Sequence, residues 1–342
     1  MRMIQLGRTG LTVSAVGLGG IQFSKISRSA TARVIAAARD CGINFFETGH
    51  GYFDSEEKIG AALGRRRRDV ILATKDPSRD GKTLMRHLEI SLKRFRTDYV
   101  DLFQLHGVDS RDDLEKALRP RGAFPALEKA LRQGKIRSTG VSSHRLDLCL
   151  EMLDRDLFDS LQYPISLINT EVPSSGLLRK ARARDVGLVA MKPLGGGRIT
   201  DARLALSYIY RFRGVVPVVG VETPEQVREL TRIAQRPAKF TETHWRRIRK
   251  IRQTVGLTFC RACRYCEPCP KGISIFRVLY FPIFVKQMGV KRQLAKGVPD
   301  WLLQAQNCVE CRACERRCPF HLRIVDGLKQ NLALARKLSA RA

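Results

Sequence analysis

The feature that most constrains the fold is a repeated alternation of short apolar segments with amphipathic segments. Eight such pairs follow one another between residues 13 and 234, and the short segments are apolar almost throughout. Strands that are apolar on both faces are typical of parallel sheets covered on both sides. Eight strand–helix units in one run predict an α/β fold, a closed (β/α)8 TIM barrel whose reactive residues lie at the C-terminal ends of the strands.

An open doubly wound sheet is the alternative to a barrel. Sheets of that kind that bind dinucleotides carry G-x-G-x-x-G after the first strand. The first predicted strand, Val13–Gly20, ends in Gly17-Leu18-Gly19-Gly20, which does not supply that spacing. The barrel is therefore the favoured fold.

A different pattern occupies the C-terminal quarter, where eight of the ten cysteines fall in two groups. The second group fits C-x2-C-x2-C-x3-C-P, a spacing of bacterial iron-sulfur proteins, and the first is one residue shorter. Three thiolates at three-residue steps can hold three corners of a 4Fe-4S cube, and in two-cluster proteins the fourth cysteine of a run serves the other cluster. We therefore predict two 4Fe-4S clusters, one on Cys260, Cys263, Cys266 and Cys318, the other on Cys308, Cys311, Cys314 and Cys269.

Zinc and disulfides are the alternatives for these cysteines. Structural zinc usually takes two separated C-x2-C pairs, which two triplets each closed by Cys-Pro match poorly. Disulfide frameworks belong mainly to small secreted chains, whereas this chain has 342 residues and shows no secretory segment at its N-terminus. A reducing, cytoplasmic location is the expectation.

The chain has a formal net charge of +29, from 62 Lys and Arg against 33 Asp and Glu. A surface this basic attracts acidic partners. The candidates are an acidic electron carrier of the ferredoxin or flavodoxin type, nucleic acid and an anionic membrane surface, and an arginine-rich composition without a partner is the simpler alternative. Nucleic acid is disfavoured because no recognition motif for it is visible. The apolar run Ile273–Met288 is shorter than the roughly 20 residues that span a bilayer.

Composition also divides the chain into segments. The eight repeats end near residue 235, the following stretch is helical in pattern and strongly basic, and the cysteine runs come last. We expect a barrel over residues 1–235, a basic helical linker over 236–256 and a small α-helical ferredoxin-like domain over 257–342.

Three polar residues follow successive predicted strands. Tyr52 lies beyond the second strand, Lys75 ends the third and His106 follows the fourth. A phenol is a weak acid near neutral pH, and an adjacent Lys ammonium would lower its pKa and ease proton donation. Together the three residues predict a site for proton transfer at the barrel mouth.

Longer motifs resemble the aldo/keto reductase family over residues 2–234. They are Gly42-Ile43-Asn44-Phe45-Phe46-Glu47-Thr48, Asp101-Leu102-Phe103-Gln104-Leu105-His106, Gly134-Lys135-Ile136-Arg137 and Lys192-Pro193-Leu194-Gly195-Gly196-Gly197. With the cysteine runs, the chain resembles the subgroup that carries a C-terminal 4Fe-4S dicluster ferredoxin-like domain.

The resemblance implies an oxidoreductase that reduces a carbonyl-like small-molecule substrate with a nicotinamide cofactor. Tyr52 would be the general acid, Lys75 its partner and His106 the group that orients the carbonyl. Glu47 stands where the family has Asp, and its extra methylene predicts a displaced carboxylate and lower activity. The implied cofactor-binding residues are Ser142, Ser143, Gln162, Met191, Lys192, Pro193, Leu194, Gly195 and Gly197.

The cofactor and the electron donor stay open on the sequence alone. The segment 219–226 lacks the Lys, Ser and Arg that usually hold a 2′-phosphate in the family, which favours NAD over NADP. A nicotinamide transfers two electrons as a hydride whereas a 4Fe-4S cluster accepts one, so a flavin intermediary is a further cofactor to consider. The alternative function is a non-catalytic or weakly catalytic electron-transfer protein in which the barrel is a scaffold.

Overall fold

The computed structural model of the protein describes residues 1–340. The chain forms two compact units, one from Met1 to His244 and one that begins at Trp245. The division falls inside the segment 236–256 that the sequence predicts as a linker, and one helix, Glu242–Thr254, runs through it.

The first unit is a closed barrel of eight parallel strands. Neighbouring strands follow the chain order, and the last pairs with the first, so that Val219 lies opposite Leu18. This arrangement confirms the predicted eight-stranded parallel barrel. With a separate antiparallel pair that precedes the barrel, the strands are β1 (Met3–Gln5), β2 (Thr12–Ser14), β3 (Gly17–Gly19), β4 (Phe45–Glu47), β5 (Ile71–Asp76), β6 (Val100–Leu105), β7 (Ile136–Ser142), β8 (Ser160–Pro164), β9 (Gly187–Met191) and β10 (Val215–Gly220).

The N-terminal segment differs from the prediction. The sequence predicts one strand over Val13–Gly20, but the structure ends β2 at Ser14 and begins the barrel with β3. The prediction was wrong because both pieces are buried, so the apolar run continues through the turn between them and gives no sign of it. The β1–β2 hairpin packs against residues of the barrel strands through Leu6, Leu11 and Val13.

Helices follow the barrel strands, with two after β6 and two after β10. They are α1 (Arg28–Asp40), α2 (Ser55–Leu63), α3 (Gly81–Phe95), α4 (Arg111–Leu118), α5 (Ala123–Arg132), α6 (Leu146–Asp154), α7 (Leu177–Ala183), α8 (Ala202–Ile209), α9 (Pro224–Gln235) and α10 (Glu242–Thr254). A capping box between Thr223 and Gln226 starts α9. Helix α4 is additional to the prediction, and it was missed because only Leu114 and Ala117 of its residues are buried.

The second unit is helical. Its helices are α11 (Ile275–Met288), α12 (Val290–Leu294), α13 (Asp300–Leu303), α14 (Ala313–Arg316) and α15 (Ile324–Ser339). Val278 and Phe281 of α11 and Leu328 of α15 belong to one apolar core, and that core also contains Cys266, Cys314 and Cys318. Within residues 1–340, no helix combines the length and the apolar character needed to cross a membrane.

Candidate active site and cysteine loops

The predicted catalytic residues come together at one end of the barrel. Glu47 is the last residue of β4, Lys75 lies near the end of β5, Tyr52 lies in the loop after β4 and His106 directly follows β6. The carboxyl ends of the strands meet at the barrel mouth, so these side chains converge there. The Tyr52 and His106 rings lie edge to face with 5.7 Å between their centroids, and Lys75 Nζ lies 4.9 Å from the centroid of the Tyr52 ring.

A buried ion pair lies next to the Tyr52 and His106 rings. The Glu47 carboxylate contacts the Lys75 ammonium directly, and Lys75 also donates to the Thr48 carbonyl at 2.7 Å. Burial lowers the pKa of the Lys75 ammonium well below its usual value, and the carboxylate beside it favours the charged form. The Glu47 carboxylate thus contacts Lys75, and the lower activity expected from its extra methylene stays a prediction.

The pKa of Tyr52 moves in the direction opposite to the sequence prediction. On the sequence alone, Lys75 is expected to lower the pKa of the phenol. In the structure, burial raises the pKa of the Tyr52 hydroxyl above its usual value of 10.0, and the Lys75 charge is paired with Glu47. Tyr52 therefore keeps its proton throughout the neutral pH range, as an acid must before it donates.

His106 is a neutral imidazole near neutral pH. Burial is the main cause that lowers its pKa well below 6.5, and the nearby Lys75 and His144 lower it further. Its backbone N–H donates to the Asp76 carbonyl at 2.9 Å, which ties the residue to β5. A neutral imidazole can donate one hydrogen bond to a carbonyl oxygen without adding a charge.

The residues implied to hold a cofactor carboxamide lie on the neighbouring strands. The Ser142 hydroxyl accepts the Gly107 N–H at 2.9 Å, and the Ser143 hydroxyl donates to the Val108 carbonyl at 2.6 Å. Both hydroxyls thus hold the loop after β6. Gln162 in β8 donates to Glu47 at 3.3 Å, while its buried amide oxygen has no hydrogen-bond partner among the described residues. Of these groups, that oxygen is the best placed to accept an N–H from a ligand.

The Gly-rich segment follows β9. Met191 ends the strand and is half-buried, and Lys192 after it has a left-handed φ of 55°. Pro193 and Leu194 lead into a 3₁₀ turn, Gly195–Gly197, whose glycines all have positive φ. Backbone without a Cβ can approach a ligand closely. This turn can therefore bring N–H groups against a phosphate.

A chain of polar contacts that was not predicted from the sequence lies beside these residues. Lys192 Nζ lies 2.6 Å from His144 Nε2, and His144 Nδ1 lies 3.1 Å from the Asp109 carboxylate. The signal that could have found it is His144 itself, which directly follows Ser142-Ser143 at a strand end, a position like that of His106.

A second group that the sequence did not predict braces the loop of Tyr52. The His50 and His87 rings stack with 4.3 Å between their centroids, and His87 Nδ1 lies 2.8 Å from the buried Asp76 carboxylate. The His50 N–H donates to the Lys75 carbonyl at 2.9 Å. These contacts tie the loop that carries Tyr52 to the strand that carries Lys75.

The two cysteine runs have matching backbone conformations. In each run, the residue before the second cysteine and the residue after it are left-handed: Ala262 and Arg264 in the first run, Glu310 and Arg312 in the second. Left-handed φ is uncommon for residues with a side chain. Such conformations within a turn create concavities lined by N–H groups, which bind anions and iron-sulfur clusters. The two loops therefore share one backbone conformation.

The thiols group across the two runs. Cys269 of the first run lines one cavity together with Cys308, Cys311 and Cys314 of the second. In the other group, burial is the main cause that raises the pKa of Cys266, and Cys260, Glu267, Cys263 and Cys318 raise it further. Cys318 of the second run thus lies with the first. The ten cysteines are thiols rather than disulfides.

Known proteins resemble the barrel part of the chain. A family model described as "Aldo/keto reductase family" matches residues 15–203, more than half of the chain. The chain is 34% identical over 228 residues to the uncharacterized oxidoreductase YrpG of Bacillus subtilis, a match that covers 58% of this chain and 68% of that protein. It is 31% identical over 216 residues to L-galactose dehydrogenase of Arabidopsis thaliana, covering 57% and 66%. The solved aldo-keto reductase AKR11C1 from Bacillus halodurans, in its holo form, covers 73% of this chain with 96% of its own length, at a TM-score of 0.64 and 25% identity.

Proposed function

This chain belongs to the aldo/keto reductase family and is an oxidoreductase, and from that premise we propose that its barrel reduces the carbonyl group of a small molecule. The observation that carries the proposal is the convergence of Tyr52, Lys75 and His106 at the barrel mouth, above the buried Glu47. These groups offer a protonated phenol, a fixed cation and a neutral imidazole, which are the groups that protonate and orient a carbonyl oxygen.

The surroundings of each residue set its role in this reaction. Tyr52 donates its hydroxyl proton to the carbonyl oxygen as negative charge develops there, and its raised pKa keeps that proton in place until then. His106 donates an N–H to the same oxygen and orients the carbonyl. Lys75, held by Glu47, lies against the Tyr52 ring and stabilises the phenolate that proton donation leaves.

We propose a nicotinamide dinucleotide as the cofactor. When bound, it supplies the hydride that the carbonyl carbon accepts. The partnerless amide oxygen of Gln162 suits the carboxamide, and the turn after Lys192 suits the pyrophosphate. Glu222, which follows β10, pairs with Lys25 at 3.1 Å, and a carboxylate there disfavours a 2′-phosphate. NADH is therefore the proposed form.

We propose that residues 257–342 are a ferredoxin-like domain with two 4Fe-4S clusters, joined to the barrel of residues 1–235 by the linker 236–256. The matching curled loops support this assignment, and so does the grouping of Cys269 with the second run and of Cys318 with the first. When bound, each cluster takes up or releases one electron. A reducing compartment such as the cytoplasm suits these thiols.

The partner that we propose is an acidic one-electron carrier of the ferredoxin or flavodoxin type. Hydride chemistry moves two electrons and a cluster moves one, so the clusters serve an external carrier or a bound flavin rather than the hydride itself. The group that contains Cys311 lies nearer the surface, since Cys311 is exposed and Val309 beside it is 58% exposed. Lys271 and Arg312 line the same cavity and present positive charge to an acidic face.

Reversing the charge of this surface will slow electron exchange with an acidic carrier. Lys271→Glu combined with Arg312→Glu is expected to lower the association rate with a purified acidic bacterial ferredoxin by about 10-fold or more at low salt, because steering depends on nearby charge. Stopped-flow absorbance across a salt series measures the rate. Arg65→Glu combined with Arg68→Glu makes the same change in net charge on the barrel unit. An equal loss in both double variants would refute the docking surface.

A non-catalytic electron-transfer protein is the second candidate function. The observation that favours it is the use of the Ser142 and Ser143 hydroxyls in holding a loop, which leaves them engaged before any cofactor arrives. In that case Tyr52→Phe would leave the biological role intact while Cys311→Ala abolishes it. The reverse pattern supports catalysis in the barrel.

One experiment on the whole chain tests the proposed function. The protein is reconstituted anaerobically with iron and sulfide, iron is counted, and NADH, NADPH and FMN are titrated separately before carbonyl and quinone reduction is assayed. We expect about eight irons per chain and tighter binding of NADH than of NADPH. Intact clusters with no reduction from NADH or from reduced ferredoxin would exclude the oxidoreductase mechanism, and about four irons would exclude the two-cluster assignment.

A further inference from the structure

Asp109, His144 and Lys192 form a continuous chain of polar contacts at the barrel mouth. The Asp109 carboxylate accepts the backbone N–H of His144 at 2.6 Å and lies 3.1 Å from His144 Nδ1, and Lys192 Nζ lies 2.6 Å from His144 Nε2. The side chains of Asp109 and His144 are only 11% and 14% exposed. The contact between Asp109 and His144 is thus largely buried, unlike most polar contacts on the protein surface.

The chemistry of the three groups fixes the direction of each hydrogen bond. Burial would raise the pKa of Asp109, but His144 and Lys192 outweigh it and hold that pKa below its usual range, so Asp109 is a carboxylate that only accepts. His144 Nδ1 therefore carries the proton, and Nε2 accepts from the Lys192 ammonium. Burial is the main cause that lowers the pKa of His144 below 6.5, and Lys192 lowers it further. The imidazole is therefore neutral.

This chain of polar contacts lies on the same rim of the barrel as the candidate catalytic residues. Tyr52, Lys75 and His106 occupy the ends of β4, β5 and β6, and the three residues of the chain follow β6, β7 and β9. His144 and Asp109 lie near enough to His106 to shift its pKa. A ligand whose carbonyl oxygen lies at His106 therefore has the Lys192 ammonium further along the same rim.

We propose that Asp109 and His144 are positioning residues that fix Lys192 as the counter-ion of a phosphate or carboxylate group on a ligand at the barrel mouth; this rests on the function proposed above. A lysine side chain is flexible, and its ordering costs affinity when a ligand arrives. His144, as a neutral imidazole, orders Lys192 before a ligand arrives. The anion has two sources, the pyrophosphate of the dinucleotide and an acidic group on the carbonyl substrate.

Matched pairs of probes test this proposal on the cluster-loaded full chain. Dissociation constants are measured by protein fluorescence for NADH, for reduced nicotinamide riboside, which has no phosphate, and for inorganic pyrophosphate. Values of KM and kcat are measured for 4-carboxybenzaldehyde and benzaldehyde. The variants are Lys192→Met, Lys192→Arg, His144→Phe and, as a control, Lys180→Met, whose ammonium pairs with Asp154 on the exposed surface.

Lys192→Met is expected to weaken binding of one anionic probe class by about 10- to 100-fold, which corresponds to the loss of a charge-assisted hydrogen bond. Binding of the matching uncharged probe is expected to stay unchanged. His144→Phe is expected to cost about 3- to 10-fold by releasing the lysine, and Lys192→Arg to restore part of the affinity. Loss confined to NADH and pyrophosphate assigns the anion to the cofactor, and loss confined to the carboxylated aldehyde assigns it to the substrate. Equal losses for charged and uncharged probes, or none, overturn the proposal.

The same measurements separate this proposal from the proposed function. Pyrophosphate binding that depends on Lys192 in a protein without carbonyl reduction would keep the anion site and remove the reductase mechanism. Carbonyl reduction that does not change when Lys192 is replaced would keep the reductase mechanism and remove the anion site.

Discussion

Replacing Tyr52 with Phe will lower kcat for carbonyl reduction by about 100- to 10,000-fold, the usual contribution of a positioned acid. Phe keeps the ring that packs edge to face on His106 at 5.7 Å and against the Lys75 ammonium at 4.9 Å, so the fold is retained. What disappears is the proton that the carbonyl oxygen must receive. Single-turnover reduction of an aldehyde measures the chemical step directly, and the dissociation constant for NADH is expected to stay within about twofold.

Tyr210→Phe is a matched control for this variant. Burial also raises the pKa of the Tyr210 hydroxyl, which has no hydrogen-bond partner among the described residues. Tyr210 directly follows α8 and is not one of the candidate residues at the barrel mouth. Its loss should leave kcat unchanged. If Tyr52→Phe also retained full activity, Tyr52 would not be the acid and the mechanism would have to use another donor.

The pH profile follows from the same surroundings. The pKa of His106 lies well below 6.5, so its imidazole is already neutral at pH 7, and the raised pKa of Tyr52 keeps the acid protonated there. As pH rises, the Lys75 ammonium, whose pKa burial lowers, loses its proton before Tyr52 does. We therefore expect the rate to decline as rising pH removes the Lys75 proton, and we expect Lys75→Met to abolish this decline. A decline that persists in Lys75→Met would assign it to another group.

The fold could be predicted because its signal is periodic and local. Apolar strands such as Ile71–Asp76 and Val100–Leu105, each followed by an amphipathic helix, specify a parallel sheet, and eight of them close a barrel. The N-terminal hairpin could not be read in this way because the buried turn between β2 and β3 leaves no break in apolarity. Helix α4 was missed because most of its side chains are polar and exposed, so the apolar pattern of a helix is weak there.

The convergence of the candidate residues could be predicted from the sequence, but their electrostatics could not. Tyr52, Lys75 and His106 follow successive strands, so their convergence follows from topology. The pKa of Tyr52 depends on burial and on the pairing of Lys75 with Glu47, which no spacing in the sequence specifies. The contact between His144 and Lys192 joins residues 48 positions apart across two strand ends, and only the closed barrel brings them together.

If the proposed clusters are bound, replacing Cys266 with Ala is expected to remove one of them and to destabilise the second unit. Cys266 is buried in the same apolar core as Phe281 and Cys318, so the proposed cluster would link residues within that core. Binding of a metal group that requires the folded site contributes directly to folding stability. Iron content is expected to fall from about eight to about four per chain, and the unfolding transition of the residues from Trp245 onward to move to a lower temperature. Cys149→Ala, which removes a buried thiol from the barrel, should leave the iron content unchanged.

Pairs of cysteine variants test how the eight thiols are shared between the centres. Cys266 and Cys318 come from different runs but lie together, whereas Cys266 and Cys269 are neighbours in one run. If Cys318 serves the centre of Cys266, the double variant Cys266→Ala with Cys318→Ala should keep about four irons, because both changes strike the same cluster. Cys266→Ala with Cys269→Ala should lose about eight, because each change removes a different one. The opposite pattern, with loss of all iron in the first pair and about four irons in the second, would show that each run holds its own cluster.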